Sequence, residues 1–114
     1  MSDKTLFEKI IAREIPADIV FEDDQCIAFR DINPQAPMHV LVCPKQPMPM
    51  LSDATPADKP LLGHLLVTAS TIAAQHGYGD AFRVAINNGA AVGQSVFHLH
   101  LHVLGGRRFT WPPG

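Results

Sequence analysis

The chain has 114 residues, 46% of them hydrophobic and 18% charged, which is typical of a folded domain that needs no disulfide or metal to hold its core. Its 9 basic and 11 acidic residues are scattered and give a formal charge of −2, which argues against a nucleic-acid polymer as partner. The sequence contains neither a leader pattern nor an apolar run of about 18 residues, so we expect a cytoplasmic protein without a membrane segment.

The first half of the chain predicts one helix followed by three strands. Apolar residues at helical spacing predict a helix over residues 2–14, which begins at a capping box formed by Thr5 and Glu8 and ends before Pro16. Runs of β-branched and aromatic residues then predict three strands. These are residues 19–22, 26–32 and 38–43. A short polar turn joins the first two strands into a hairpin.

The second half predicts a long helix and two further strands. Leucine and alanine repeat at helical spacing over residues 59–76, and a strand follows over 82–87. An eight-residue loop, 88–95, leads into the last strand, 96–104. Because strands and helices do not alternate regularly, this order predicts an α+β fold, a mainly antiparallel five-stranded sheet with two helices.

Three of the six histidines alternate with apolar residues in the last predicted strand. Side chains of a strand alternate between its faces, so His98, His100 and His102 are expected on one face and the apolar residues on the other. Neighbouring histidines on that face stand roughly 6.6 Å apart, so a small anion or a metal ion could contact more than one of them.

Three interpretations of these histidines compete. A merely polar outer face is disfavoured, because histidine is not a favoured strand residue. The histidines could instead bind a divalent metal, with His39 or a cysteine completing the site. In the third interpretation one imidazole attacks phosphorus while the others donate hydrogen bonds and positive charge. The loop 88–95 favours phosphate, because it is rich in glycine and small polar residues and has no acidic residue for a metal.

The motif at residues 98–102 resembles the His-x-His-x-His signature of the histidine triad superfamily. Flanking segments are similar to its Hint branch, and the similarity covers nearly the whole chain. These segments are 15–17, 21–24, 29–37, 87, 93–96, 105–107 and 111–114. The resemblance implies one domain over residues 1–114 with 107–114 as a C-terminal tail, and a homodimer whose two sheets join into one.

The resemblance also implies an activity, that of a purine nucleoside phosphoramidase without metal or cofactor. Such an enzyme hydrolyses AMP or GMP linked to an amine, and can also act on aminoacyl adenylates, through a nucleotidyl-histidine intermediate. His100 is then the nucleophile, and His102 favours hydrolysis because related nucleotidyltransferases carry glutamine there. The proton donor stays open between His102, Ser95 and His39. The alternative is a nucleotide sensor or interaction module with little turnover.

The groups that hold phosphate and sugar are likewise implied by the resemblance. Ser95, with the preceding loop at Gly93 and Gln94, is expected to bind the α-phosphate and the leaving group. Asn87 is expected at the ribose-phosphate region and Asp31 at the ribose hydroxyls. From the residues alone, Asp31 is equally well explained as a turn residue.

An apolar pocket for the base and a contact with the partner complete the implied site. His98, His102 and His39 are expected to surround the nucleophile, and Trp111 to reach toward the partner's active site. The residues expected to form the base pocket are Leu6, Phe7, Ile10, Phe29 and Ile32.

Overall fold

The computed structural model describes residues 4–114, which form a five-stranded antiparallel sheet with a helix on each face. Helix α1 spans Leu6–Ile11 and helix α2 spans Lys59–Gln75. Strands β1 to β5 are Ile19–Glu22, Cys26–Arg30, Met38–Pro44, Phe82–Ala85 and Leu101–Gly105. Their order across the sheet is β1-β2-β3-β5-β4, which confirms the predicted fold class. Within residues 4–114, no helix has both the length and the apolar character needed to cross a membrane.

The register of the central strands sorts their side chains onto two faces. Val40 of β3 lies opposite Val103 of β5 and packs with it against α2. Leu41, the next residue of β3, lies opposite His102 and packs on the other face against α1. Because directly opposed residues share a face of the sheet, this register places His102 on the α1 face.

Helix α1 is shorter than the predicted 2–14. The capping box of Thr5 and Glu8 is confirmed by reciprocal bonds of 3.0 and 3.1 Å, whereas positions 2 and 3 lie outside the described residues. The predicted end is wrong because Arg13 turns left-handed, at a φ of 63°. The amides of residues 13 and 14 then bond back to carbonyls of the last turn at 3.0 and 2.8 Å, a Schellman arrangement that closes the helix.

The last strand also begins later than predicted. The ladder with β3 starts at Leu101, so His98 and His100 precede β5 instead of lying within it. The amide of Leu99 bonds to the carbonyl of Met48 at 2.6 Å, outside the sheet, so the chain leaves the ladder at this point. Phe97, one of the apolar residues expected to pack on the face opposite the histidines, is 43% exposed.

Two strands are shorter than predicted, so two predicted site residues lie in loops. The second strand ends at Arg30 and the fourth at Ala85, rather than at 32 and 87. Asp31 and Asn87 therefore follow their strands, where the backbone is free to turn. The third strand extends to Pro44, one residue beyond its predicted end.

Candidate active site

A cavity of about 300 Å³ opens beside α1, on the face of the sheet opposite α2. This volume is at the lower end of the range of small-ligand pockets. All five residues expected to hold the base line it: Leu6, Phe7, Ile10, Phe29 and Ile32. Ile32 is 97% exposed and stands at the rim, whereas Phe7 and Phe29 are buried and pack edge to face at 5.2 Å.

The histidine rings form a row along one side of this cavity. The centroids of His100 and His102 are 5.0 Å apart, and the ring of His39 lies 5.2 Å beyond His102. At the other end of the row, Phe7 packs edge to face on His100 at 4.8 Å and on His98 at 6.3 Å. Two of these histidines, His100 and His102, line the cavity together with Ser95.

His39 reaches the row from the neighbouring strand β3. Its Nε2 lies 2.9 Å from Nδ1 of His102 and 3.4 Å from an oxygen of Asp31. The other oxygen of Asp31 accepts the Asn33 amide at 2.8 Å, an Asx turn. Asp31 is thus a turn residue that also lines the cavity with one carboxylate oxygen near the histidines.

Hydrogen-bond partners define which nitrogen of His39 and of His102 carries the proton. The backbone amide of Gln35 donates to Nδ1 of His39 at 3.0 Å, so neutral His39 has its proton on Nε2. That N–H faces Nδ1 of His102 at 2.9 Å, and Nδ1 of His102 is therefore an acceptor. Neutral His102 must then carry its proton on Nε2.

The same reasoning assigns the opposite tautomer to His100. Its Nδ1 lies 2.7 Å from the carbonyl oxygen of His98, which can only accept, so Nδ1 carries the proton and Nε2 keeps a free lone pair. In His98 the carbonyl of Pro44 accepts from Nε2 at 2.7 Å, and the ring is 1% exposed. His100 is therefore the residue of the row that combines a cavity position with a ring nitrogen free to attack.

Burial favours the neutral form of His39, His100 and His102. Desolvation, together with the neighbouring rings of His100 and His39, lowers the pKa of His102 to about 4 against the opposing effect of Asp31. Desolvation also lowers the pKa of His39 and of His100. At neutral pH these three groups therefore act as neutral N–H donors and lone pairs, whereas the sequence predicted protonated donors beside the nucleophile.

The loop before the triad is shaped by two glycines and one buried amide. Gly89 and Gly93 have φ values of 100° and 104°, a region open mainly to glycine. The side chain of Gln94 is buried, accepts from the Gly89 amide at 2.7 Å and donates to the carbonyls of Pro49 and Val96. Gln94 therefore holds the loop through its side chain.

Six predicted residues do not line the cavity: His39, His98 and Gln94, whose contacts are given above, and Asn87, Gly93 and Trp111. Neither Asn87 nor Gly93 lines the cavity, although both belong to the connection that leads to Ser95. Trp111, in the tail, is 80% exposed and lies 6.0 Å from the guanidinium of Arg83. Their predicted contacts with nucleotide or partner stay predictions.

Sequence reasoning missed one connection, which runs from the segment after β5 to His39. Arg107 donates through Nε to the carbonyl of Gln35 at 2.7 Å, and the amide of Gln35 meets His39. The sequence carries no signal for this link because both contacts of Gln35 use its backbone. The cavity wall also includes Leu41, which strand alternation from His39 would have placed on the same face.

Comparisons with known proteins agree with this geometry. The family described as HIT domain matches residues 12–109. An uncharacterized HIT-like protein of Synechocystis is 67% identical over the full length of both chains. A 14 kDa zinc-binding protein of Zea mays is 49% identical over 96% of this chain and 88% of its own length.

Solved structures show the same fold. A HIT family hydrolase from Legionella pneumophila superposes with a TM-score of 0.95 at 46% identity, covering 97% of this chain and 100% of that one. A histidine triad nucleotide-binding protein from Candida albicans gives a TM-score of 0.82 at 27% identity, with 96% and 83% covered. This chain is similar to each of them along nearly its whole length.

Proposed function

Because this chain belongs to the HIT domain family, we propose that it is a metal-independent hydrolase of purine nucleoside 5′-phosphoramidates. Its substrates are AMP or GMP joined through phosphorus to an amine, with aminoacyl adenylates as a related class. The names of the Legionella hydrolase and the Candida nucleotide-binding protein support this reaction class. The single observation that carries the proposal is the free Nε2 lone pair of His100 beside the cavity.

In the first step, Nε2 of His100 attacks phosphorus and the bond from phosphorus to the amine breaks. The ring gains positive charge as the nucleotidyl-histidine forms. Its Nδ1–H already donates to the carbonyl of His98 at 2.7 Å, and this bond strengthens when the ring becomes cationic. The backbone thus orients the nucleophile and stabilises the charge that develops on it.

The leaving amine departs with a proton, for which two donors line the cavity. These are the hydroxyl of Ser95 and Nε2–H of His102, and water restores the proton to whichever group gives it. His39 is less suited, because its N–H is directed at His102. Proton donation of this kind contributes about 10² to 10⁴ in rate, so variants of Ser95 and His102 distinguish the two donors.

In the second step, water attacks phosphorus, the bond to Nε2 breaks, and the nucleotide leaves with His100 neutral again. The water gives up a proton that balances the one taken by the amine. The base lies between the apolar side chains that line the cavity, and the ribose hydroxyls lie at the Asp31 oxygen that does not bond to the Asn33 amide. Asn87 and the backbone at Gly93 and Gln94 are proposed to approach the phosphate only with substrate bound.

The test is a rapid-quench assay with an adenosine phosphoramidate in the presence of EDTA. We expect amine release, together with a transient mass increase of one nucleotidyl group that peptide mapping places on His100. A wild-type enzyme that releases no amine, or an adduct on another residue, would contradict the proposal. Tight AMP binding without any adduct or turnover would instead support the nucleotide sensor.

A zinc site is the second candidate, since single ligand atoms of Asp31, His39 and His102 lie within 4.8 Å of one another. The name of the Zea mays relative points the same way. Against zinc stands the Gln35 amide, which occupies Nδ1 of His39 and leaves the proton on the nitrogen that would face the metal. Zinc would have to displace either that proton or the amide bond. Elemental analysis of active protein, before and after dialysis against EDTA, separates the two candidates.

We further propose a homodimer with a sheet that continues across the interface. Strands β1 and β4 are the two edges of the sheet and are available for this pairing. Trp111 is exposed in the tail, as a residue that contacts a partner's site must be before assembly. Sedimentation at micromolar concentration tests the dimer, and a monomer at that concentration would contradict it.

A further inference from the structure

Arg107 and His39 hold the two backbone groups of a single residue, Gln35. The guanidinium Nε of Arg107 donates to the carbonyl oxygen of Gln35 at 2.7 Å. The amide N–H of Gln35 donates to Nδ1 of His39 at 3.0 Å. An exposed side chain after β5 is therefore two hydrogen bonds away from a buried ring of the candidate active site.

Other contacts fix the two ends of the loop that contains Gln35, and the neighbouring Ala36 is buried, whereas the peptide of Gln35 depends on hydrogen bonds to side chains. Near the start, the Asn33 amide is bound by Asp31 at 2.8 Å. At the end, Pro37 packs so closely on Gly106 that a Cβ on the glycine would lie 2.8 Å from the proline ring. Gln35 itself is exposed, and besides His39, Arg107 is the side chain that bonds to its peptide.

We propose that Arg107 is a positioning residue of the phosphoramidase, and that it keeps the Gln35 amide on Nδ1 of His39. The inference rests on the proposed function. With Nδ1 occupied, the proton of His39 stays on Nε2 and bonds to Nδ1 of His102. The remaining proton of His102 is thereby kept on Nε2, the nitrogen that is left for the substrate.

The tautomers of His39 and His102 depend on the hydrogen bond from the Gln35 amide, because few other charged or polar groups face the two rings. Besides each other, the rings face the carboxylate of Asp31 at 3.4 Å from His39 and the ring of His100 at 5.0 Å from His102. If the Gln35 amide withdraws, the proton of His39 is free to move to Nδ1. Either two lone pairs would then meet across the 2.9 Å between His39 and His102, or the proton of His102 would move to Nδ1 and leave Nε2 without the N–H that faces the substrate.

Arg83 provides the matched control. Both arginines stack on Phe109, with the guanidinium carbon 4.1 Å from the ring centroid for Arg107 and 5.1 Å for Arg83. Arg83 also binds the carbonyl of Thr110 at 3.1 Å, so it holds the same tail. Its described hydrogen bond does not go to the loop 33–37. R83A therefore removes a tail arginine while leaving the Gln35 contact intact.

The first measurement is the imidazole ¹⁵N spectrum of the ligand-free protein, which reports tautomers without depending on activity. Wild type and R83A should show His39 with an unprotonated Nδ1 and a protonated Nε2. In R107A the two nitrogen shifts should move toward each other, as expected for exchange between tautomers. Unchanged His39 shifts in R107A would overturn the inference, whether or not the protein proves to be a phosphoramidase.

The second measurement is steady-state kinetics on an adenosine phosphoramidate. We expect R107A to lower kcat about 10-fold, part of the 10² to 10⁴ that proton donation supplies, with KM unchanged. R83A should keep the wild-type kcat, and R107K should recover part of the loss because lysine can still donate to the carbonyl. An equal loss in R83A and R107A would assign the effect to the tail as a whole and overturn the inference.

A substitution in the loop tests the amide itself. Gln35→Pro removes the N–H, whereas Gln35→Ala keeps it and removes a side chain that bonds to the carbonyl of Asn33. We expect the changed His39 spectrum in Q35P and the wild-type spectrum in Q35A. A folded Q35P protein with wild-type His39 shifts would overturn the inference, and if Q35P does not fold, the R107A and R83A pair decides.

Discussion

The two faces of the sheet are covered to different extents, and the difference accounts for the position of the site. On one face the 17 residues of α2 seal a core of valine, leucine and isoleucine in which Val40, Ile72 and Val103 are completely buried. On the other face, α1 has only 6 residues and covers part of β2 and β3. The uncovered part is the cavity, and His100 and His102 line it.

This contrast shows that one sheet can provide stability on one side and chemistry on the other. A packed apolar face gains free energy for each group that it removes from water. Histidines buried on the opposite face cost free energy unless hydrogen bonds satisfy them, and His39, His98 and His100 each have such a bond. Substitutions on the two faces are therefore expected to affect different measurements.

The largest expected effect is on the α1 face, where His100→Ala removes the nucleophile. We expect phosphoramidate hydrolysis to fall on the order of 10⁴-fold or more, as when other enzymes lose a nucleophile. The control is His64→Ala, which removes a partly exposed histidine of α2 that bonds to Asp23 at 2.6 Å. That variant should keep the wild-type rate. Equal rates in the two variants would remove His100 from the mechanism.

Next in size is a stability effect on the α2 face. Ile72→Ala creates a cavity at a completely buried position, so we expect the free energy of unfolding to fall by about 2–5 kcal/mol. Val67→Ala, on the same helix but 67% exposed, should change it by about 0.5 kcal/mol or less. Urea denaturation measures both. A loss of kcat in folded Ile72→Ala would show that the two faces are coupled after all.

The two faces of the sheet also differ in how much of their structure could be predicted from the sequence. The elements of the α2 face can be predicted from local sequence patterns. These patterns are the helical spacing of apolar residues in 59–76 and the strand alternation around Val40. The length of α1 cannot be predicted from such a pattern, because Arg13 ends the helix in a left-handed conformation that is unusual for a residue with a Cβ. The start of β5 is set by a contact outside the sheet, since the Leu99 amide bonds to the carbonyl of Met48 although β3 continues to Pro44, and residues 96–104 alone do not show this contact.

At the site, residue identities were predictable and proton positions were not. The triad motif and the resemblance to the histidine triad superfamily selected residues of which many line the cavity, namely His100, His102, Ser95, Asp31 and the five expected at the base. The expectation of protonated donors failed because burial, which lowers the pKa of His102 to about 4, depends on the tertiary structure. The tautomer of His39 is set by the backbone of Gln35, for which side-chain identity gives no signal.

A smaller effect is expected at the N-terminus of α1, which is held by its capping box. Thr5→Ala removes the hydroxyl that binds the Glu8 amide, so we expect a loss of about 1 kcal/mol in unfolding free energy. Because α1 brings Phe7 and Ile10 to the cavity, KM should rise as well. Thr71→Ala removes a hydroxyl that bonds to the preceding turn of α2, and should leave KM unchanged.

The smallest expected effect is a change in how stability depends on pH. The pKa of His102 is lowered from 6.5 to about 4 on folding, so only the unfolded chain takes up that proton as the pH falls between these values. The stabilisation is complete above 6.5 and is lost toward 4. His102→Gln should therefore flatten the plot of unfolding free energy against pH in this window.

Asp23, at the turn near α2, provides the contrast at lower pH. Burial raises its pKa, but hydrogen bonds from the amides of Gln25 and Cys26 and from His64 outweigh that effect and lower the pKa from 3.8 to about 2. Stability from Asp23 is therefore complete above 3.8 and is lost as the pH falls toward 2. Asp23→Asn should flatten the plot only in that lower window. If both variants flatten the same window, the two faces do not titrate separately, and the neutrality assigned to His102 is wrong.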